Sequence, residues 1–480
     1  MSVPFVELAA VEAALREHPE VERVAVSARP AAAGEGAGAL ARVVPREGAA
    51  GGRELGFSLF YFADAEAGAR EDKYRLYLEG ARFADARGFE AVWTPERHFH
   101  ENGGLYPNPS VLSAALATIT ERVRLRAGSV ALPLHHPLRV AEEWSVVDNL
   151  SRGRVDLSFT SGWIPNDFAI APQPGVFHRK RDAMFELIEQ VRELWSGGAV
   201  PARDGVGGEV RLQIFPKPVQ PRLPIWITCS GDPATFVRAG EMGFNVLTAL
   251  LTQPLEEAAE KAALYRDARA RAGLDPAEGR VTLMMHAFVG RDEAEVRAAV
   301  ERPLTEYLKS HLDLMKGLVK SVDLKVDRAS LSDPRLAAYL ATFAFERYYR
   351  MGSLIGTPEK CLGMVDRVKA LGFDEVACLI DFGVPAEAVL GGLPHLAALK
   401  GLSDGAAAAF RERLAGHVRE RLGPGAPPLE VRAVSRLPPA PAPAGGRAAA
   451  EVATDVDERA RRQRAAAERQ RQQMRAGKKP

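Results

Sequence analysis

The sequence has only three cysteines in 480 residues, Cys229, Cys361 and Cys378. Two sit in apolar strand-like runs (IWITC, EVACLI) and one in a helical pattern. That spread argues against a disulfide framework or a cysteine zinc site and fits a reducing, cytoplasmic setting. No uninterrupted apolar run approaches the ~18 residues that a membrane-spanning helix needs. The first apolar stretch carries Glu7 and Glu12 with no basic lead, so it does not read as a signal peptide. Net charge is nearly absent, with 63 basic against 62 acidic residues. The chain therefore lacks a global field for nucleic acid or an anionic membrane, and neither partner is expected. HExxH and CxxC patterns are missing, and no metal site is expected.

What is present is a regular alternation of apolar strands and amphipathic helices. Residues 1–48 read as helix, strand, strand, and a Gly/Ala/Arg joint follows. Within 53–401 eight apolar runs recur: LGFSLFYF, EAVWTP, VRLRAGSVAL, RVDLSFTSG, LPIWITCSG, FNVLTA, VTLMMHAFVG and DEVACLIDFG. Helical patterns separate them, and Gly88, Gly243 and Gly372 stand where helices must turn into strands. This is the pattern of an α/β protein, a parallel (β/α)8 TIM barrel. The rival, a doubly wound open sheet, lacks its Gly-rich dinucleotide turn after the first strand. Surplus length places insertions at 200–222 and 303–356. Residues 402–447 supply a further helix and strand, and 448–480 form a basic Arg/Gln-rich tail, helical or disordered.

In such a barrel the active site lies at the C-terminal ends of the strands. Strand two runs into WTPERHFHENGGLYPNPS (93–110), which packs Glu96, Arg97, His98, His100 and Asn102 beside two glycines. His98 and His100 are two apart, so a metal is conceivable there, but third and fourth ligands are missing from the stretch. Strand three carries Gly128 and Ser129 towards His135 and His136. Strand four ends in Ser161, Gly162 and Trp163, strand five in Ser230 and Gly231, strand six in Thr248. SGDPATF (230–236) marks a helix N-terminus. It reads either as a cap by Asp232 or as an anion site using free N–H groups and the hydroxyls of Ser230 and Thr235.

These stretches, with FSLFYF, AGSVALPLHHPLRVAEEWSVVDNLSRGRVDLSFTSGW and ITCSGDPATFVRAGEMGFNVLT, make the central region similar to the luciferase-like flavin-dependent monooxygenases. The branch it most resembles works in natural-product assembly lines. The resemblance implies reduced FMN at the barrel mouth, supplied by a separate flavin reductase, and molecular oxygen as co-substrate. It implies a non-prolyl cis peptide at Gly128–Ser129 and phosphate contacts from Ser230, Gly231 and Thr235. Ser58, Gly128, Ser129, Ser161, Gly162, Trp163 and Thr248 complete the implied cofactor set. His98, Arg97 and Asn102 are the implied catalytic group, and a homodimer is the common assembly. Two positions depart from the pattern. Bacterial luciferase has His where this chain has Arg97, and an Arg that meets the flavin phosphate where this chain has Ser161. An Arg is no base near neutral pH, so the proton work is either moved to His98 or replaced.

The flanks resemble the two ends of the small C-terminal subdomain of adenylating enzymes, as if the barrel were inserted into it. Gly445, Gly446 and Arg447 stand where that subdomain carries its Gly-Lys, so the resemblance implies a remnant that cannot adenylate. The substrate expected is a nonribosomal peptide or polyketide intermediate, free or bound to a carrier protein. A deazaflavin-dependent oxidoreductase and a non-catalytic assembly-line module are the alternatives.

Overall fold

All eight apolar runs become strands in the computed structural model, which describes residues 5–29, 38–46, 49, 52–62, 72–101, 103–229, 231–250, 253–310 and 334–437. In ring order they are Gly56–Phe60, Ala91–Thr94, Arg124–Ala131, Val155–Thr160, Ile225–Thr228, Asn245–Ala249, Val281–Val289 and Glu375–Leu379. Each pairs in parallel with the next, and the eighth pairs with the first, Ala377 opposite Ser58. The ring is thus a closed (β/α)8 barrel. The strands read as near-continuous apolar runs because both faces are covered, by the barrel interior and by the helices. Gly88, Gly243 and Gly372 do adopt positive φ, at +68°, +74° and +91°.

The insertions take specific forms. Residues 200–222 contain the antiparallel hairpin Val200–Arg203 and Glu209–Leu212. The second insertion holds the last part of the helix Glu293–Ser310, the helix Pro334–Met351 and a short strand, Leu354–Gly356. That strand pairs with the end of the seventh barrel strand, outside the ring.

The bottom of the barrel is filled by charge rather than by hydrocarbon alone. Arg126 packs against the rings of both Trp93 and Trp226, which meet edge to face, with its guanidinium carbon 5.0 and 4.5 Å from their centroids. Its Nε donates to Asp156 at 2.6 Å and its Nη1 to Glu375 at 2.7 Å. Arg124 also pairs with Asp156, and Arg280 reaches Glu90 and Glu375. Burial alone would push the Glu375 carboxyl up, but Arg126 and Arg280 outweigh it and hold it at about 2. Glu90 goes the other way, raised to about 6 by burial and by the charge on Glu375. Ser58 belongs to this network, which corrects its expected place at the cofactor. Its hydroxyl donates to Glu375 at 2.6 Å and accepts from Trp93 Nε1 at 2.8 Å, with no exposed surface. Ser58 sits level with the floor, too early along its strand to reach the mouth.

The flanking segments build a second, smaller sheet. Val21–Arg29 and Gly38–Pro45 pair antiparallel, and Leu429–Ala433 adds to the latter in parallel. With the helix Phe5–Arg16 they enclose a core of Val11, Leu15, Val24, Val43, Phe410 and Leu414. The last helix runs unbroken from Ala386 to Leu422, so the chain crosses the expected 401/402 boundary in mid-helix. Gly401 and Gly405 each disfavour helix by ~1 kcal/mol. Packing overrides them: Leu399, Ser403, Ala407, Phe410, Leu414 and Val418 are all buried along one stripe. The tail 448–480 and Gly445–Arg447 lie outside the described residues.

Replacing Arg126 with Met takes the shared buried counter-charge from Asp156 and Glu375 and leaves them only Arg124 and Arg280. The expected loss is about 3–5 kcal/mol, read as a lower midpoint in urea unfolding. A midpoint within error of the parent would remove the network from the list of stabilising features.

Candidate active site

At the opposite end of the barrel, strand two stops at Thr94 and the chain continues extended into Glu96, Arg97 and His98. Two contacts fix this path. Arg97 N–H donates to the Tyr106 carbonyl at 3.0 Å, closing the 97–106 loop. Tyr106 Oη then donates to Asp381, beyond the last strand, at 2.8 Å, and Asp381 also accepts from Phe62 N–H at 2.5 Å. The loop after strand two is therefore tied to the ends of strands eight and one.

Glu96 is the hub of the mouth. Its side chain is 1% exposed. Oε1 accepts from His98 Nε2 at 2.7 Å and from His135 Nε2 at 2.6 Å, and Oε2 from Ala131 N–H at 2.8 Å. Burial would raise this carboxyl, but the two imidazoles and the backbone donor overcome it and hold it at about 2. His135 shifts the other way: burial opposes its charge, and the Glu96 hydrogen bond wins and raises its pKa. The same three side chains bring metal-ligand-type atoms within 4.8 Å of one another. The missing third partner of the 96–100 stretch is thus His135, 39 residues on. Separations of 2.6–2.7 Å are those of charge-assisted hydrogen bonds.

Around this hub the expected residues spread out. Arg97 lies over the Trp163 ring, 5.0 Å from its centroid, and Trp163 is 63% exposed. Ser161 is half-buried beside Gly162, whose φ is +73° and where a Cβ would come within 3.0 Å of the Phe168 ring. The Gly128–Ser129 peptide is cis. Ser129 Oγ bonds Thr228 Oγ1, which bonds Ser158 Oγ at 2.8 Å, a chain of hydroxyls across strands three, five and four. Thr248 is buried, its hydroxyl accepting from Gln253, which in turn accepts from Lys261 at 2.6 Å. Asn102 and Ser230 lie outside the described residues.

The 230–236 segment does cap its helix. Asp232 Oδ1 accepts from Ala234 N–H at 2.9 Å at the start of Pro233–Glu241, and Thr235 N–H turns back to the Asp232 carbonyl at 3.1 Å. Gly231 is exposed and Thr235 half-buried beside it. The other carboxylate oxygen of Asp232 takes Arg181. Lys180, next in the chain, sits 3.9 Å from the Phe177 ring centroid. Sequence reasoning named no base to replace the missing Arg at Ser161. The signal was the run His178-Arg179-Lys180-Arg181 opening the helix after strand four.

Comparison with known proteins agrees with this geometry. The model of the luciferase-like monooxygenase family matches residues 54–375, and the chain belongs to that family. The oxygenase component of a flavin-dependent trigonelline monooxygenase from Acinetobacter baylyi is 27% identical over 342 residues, 69% of this chain and 90% of that protein. A deazaflavin-dependent hydroxymycolic acid dehydrogenase from Mycobacterium tuberculosis is 27% identical, over 53% of this chain and 68% of its own length. Among solved structures, a monooxygenase from Streptomyces bottropensis has a TM-score of 0.57 and 25% identity, covering 72% of this chain and 98% of its own. The oxygenating constituent of a Pseudomonas putida diketocamphane monooxygenase, solved with FMN, has a TM-score of 0.54 at 17% identity, covering 71% and 97%. The relatives thus include both flavin-dependent monooxygenases and an F420-dependent dehydrogenase of this luciferase-like family.

Glu96→Gln removes the charge that raises the His135 pKa against the effect of burial. The His135 midpoint, followed by NMR of the imidazole protons, is expected to fall in the variant. In the parent, the stability this pair contributes is complete below the ordinary histidine value of 6.5 and is lost as pH rises through the raised midpoint. An unchanged midpoint in the variant would break the assignment.

Proposed function

We propose that this chain is the oxygenase component of a two-component system. It takes reduced FMN from a separate flavin reductase and uses molecular oxygen to oxidise a nonribosomal peptide or polyketide intermediate, free or bound to a carrier protein. The observation that carries this reading is the Glu96 hub, a buried carboxylate gripping His98 and His135 where the pocket of this fold opens. FMN, when bound, supplies the reduced ring that activates oxygen.

The donor set fits such a group. Arg181 and Lys180, with Gly231 and Thr235, offer a cationic corner for the phosphate, in place of the Arg that bacterial luciferase carries at the position of Ser161. The Ser129–Thr228–Ser158 hydroxyls offer donors and acceptors for a ring edge. His98 commits Nε2 to Glu96, which leaves Nδ1 as the atom that delivers or accepts a proton. Arg97 positions and neutralises, because a guanidinium stays charged. Trp163 makes a wall.

The flanking sheet is read as the remnant of an adenylating subdomain, now a docking collar for an assembly-line partner. Its support is the sequence resemblance together with its own small core. Among the described residues no helix is long and apolar enough to cross a membrane, and cytoplasmic placement and a homodimer complete the proposal. A second reading, deazaflavin-dependent hydride transfer, draws on the mycobacterial relative.

Anaerobic titration with reduced FMN and, separately, reduced deazaflavin, followed by admission of oxygen, tells these apart. Tight FMN binding with oxygen uptake is expected. Deazaflavin binding without oxygen uptake would move the assignment to the second reading, and binding of neither would make the barrel a scaffold. Arg181→Ala is expected to weaken FMN about tenfold while leaving riboflavin, which lacks the phosphate, unchanged. Equal losses for both ligands would take Arg181 out of the phosphate corner.

A further inference from the structure

Beside the Glu96 hub the mouth holds two polar atoms that nothing in the described chain satisfies. Asp167 Oδ1 and His100 Nε2 are both buried and neither has a hydrogen-bond partner among the described residues. They face each other at 3.8 Å, too far for a direct hydrogen bond. The Asp167 side chain is 10% exposed, so leaving it unsatisfied is costly. An oxygen atom about 2.7–2.8 Å from each fits between them. Such an atom must donate to the carboxylate and accept from the imidazole N–H, and a hydroxyl does both.

The surroundings narrow the class further. One face of the Trp163 ring carries the Arg97 guanidinium, and most of the indole remains exposed. Phe99, held at φ +56°, is 65% exposed in the same loop as His100. Flat aromatic surface beside a polar slot suits a flat aromatic ligand. The charges select against ionic groups. An anion would meet the Asp167 carboxylate, and an ammonium would meet Arg97, whose charge acts on that same carboxylate.

We propose that Asp167 and His100 form the substrate-recognition slot of this oxygenase, and that they read a hydroxyl on an aromatic ring, a phenol-type acceptor stacked against Trp163. The inference rests on the oxygenase reading of the mouth. It also has a chemical logic. A phenolic O–H donating to a carboxylate makes its ring more electron-rich, which favours attack by an electrophilic oxygen donor.

Calorimetry on the whole chain, first flavin-free and then with FMN, tests the slot with three probes of one size. Naphthol is expected to bind at least about tenfold more tightly than methoxynaphthalene, which cannot donate, and more tightly than naphthylmethylamine. Asp167→Ala and His100→Ala should each bring naphthol down to the methoxynaphthalene level. Equal affinities in the parent would mean a buried water fills the gap and would overturn the proposal. So would preference for the amine, binding of no probe, or a naphthol preference that survives both substitutions. The ranking in the parent needs no variant to fold. Failure of reduced FMN to bind is a separate result that strikes the oxygenase reading, whereas the probe ranking strikes only the slot.

Discussion

A guanidinium sealed inside a ring of strands is the constraint on which the rest of this molecule depends. Arg126 is nearly fully buried, and a charge in that position is tolerable only if it is paired and hydrogen-bonded. Asp156 and Glu375 do this from strands four and eight, with Arg126 itself on strand three. The pairing spans the barrel and pins the relative heights of strands that are distant in sequence. The two tryptophans, themselves in edge-to-face contact, pack against the guanidinium and restrict its position. With the floor set this way, the opposite ends of the strands present their loops at defined heights.

The mouth repeats the device with the sign reversed. There a buried carboxylate, Glu96, is compensated by two imidazoles and a backbone donor. The floor uses arginine, which cannot give up its proton near neutrality, and is therefore inert. The mouth uses histidine, which can. The same economy of buried charge thus yields structure at one end and proton chemistry at the other.

The architecture was largely legible in the sequence because strands covered on both sides must be apolar throughout, and eight such runs are hard to mistake. The site was less legible, for reasons of distance and depth. His135 joins Glu96 across 39 residues, and no local pattern announces that meeting. Ser58 was placed at the cofactor by the family resemblance, and its strand alone does not tell how far along the barrel axis it lies. Arg181 was hidden because its partner, Asp232, sits 51 residues away on another helix. The expected 401/402 boundary falls inside the long helix, whose buried stripe carries the chain across it despite Gly401 and Gly405.

The closure of the ring has a topological consequence. Because strand eight pairs with strand one, the chain leaves the barrel beside the place where it entered. A barrel of this kind behaves, to whatever surrounds it, like a very long loop with neighbouring ends. That is why Gly38–Pro45 and Leu429–Ala433, separated by the entire catalytic domain, can lie side by side in one sheet. The small sheet pays the closure entropy of some 380 residues only once, at the barrel's own folding, since loop cost grows slowly with length and vanishes when the loop is itself an ordered body with adjacent ends.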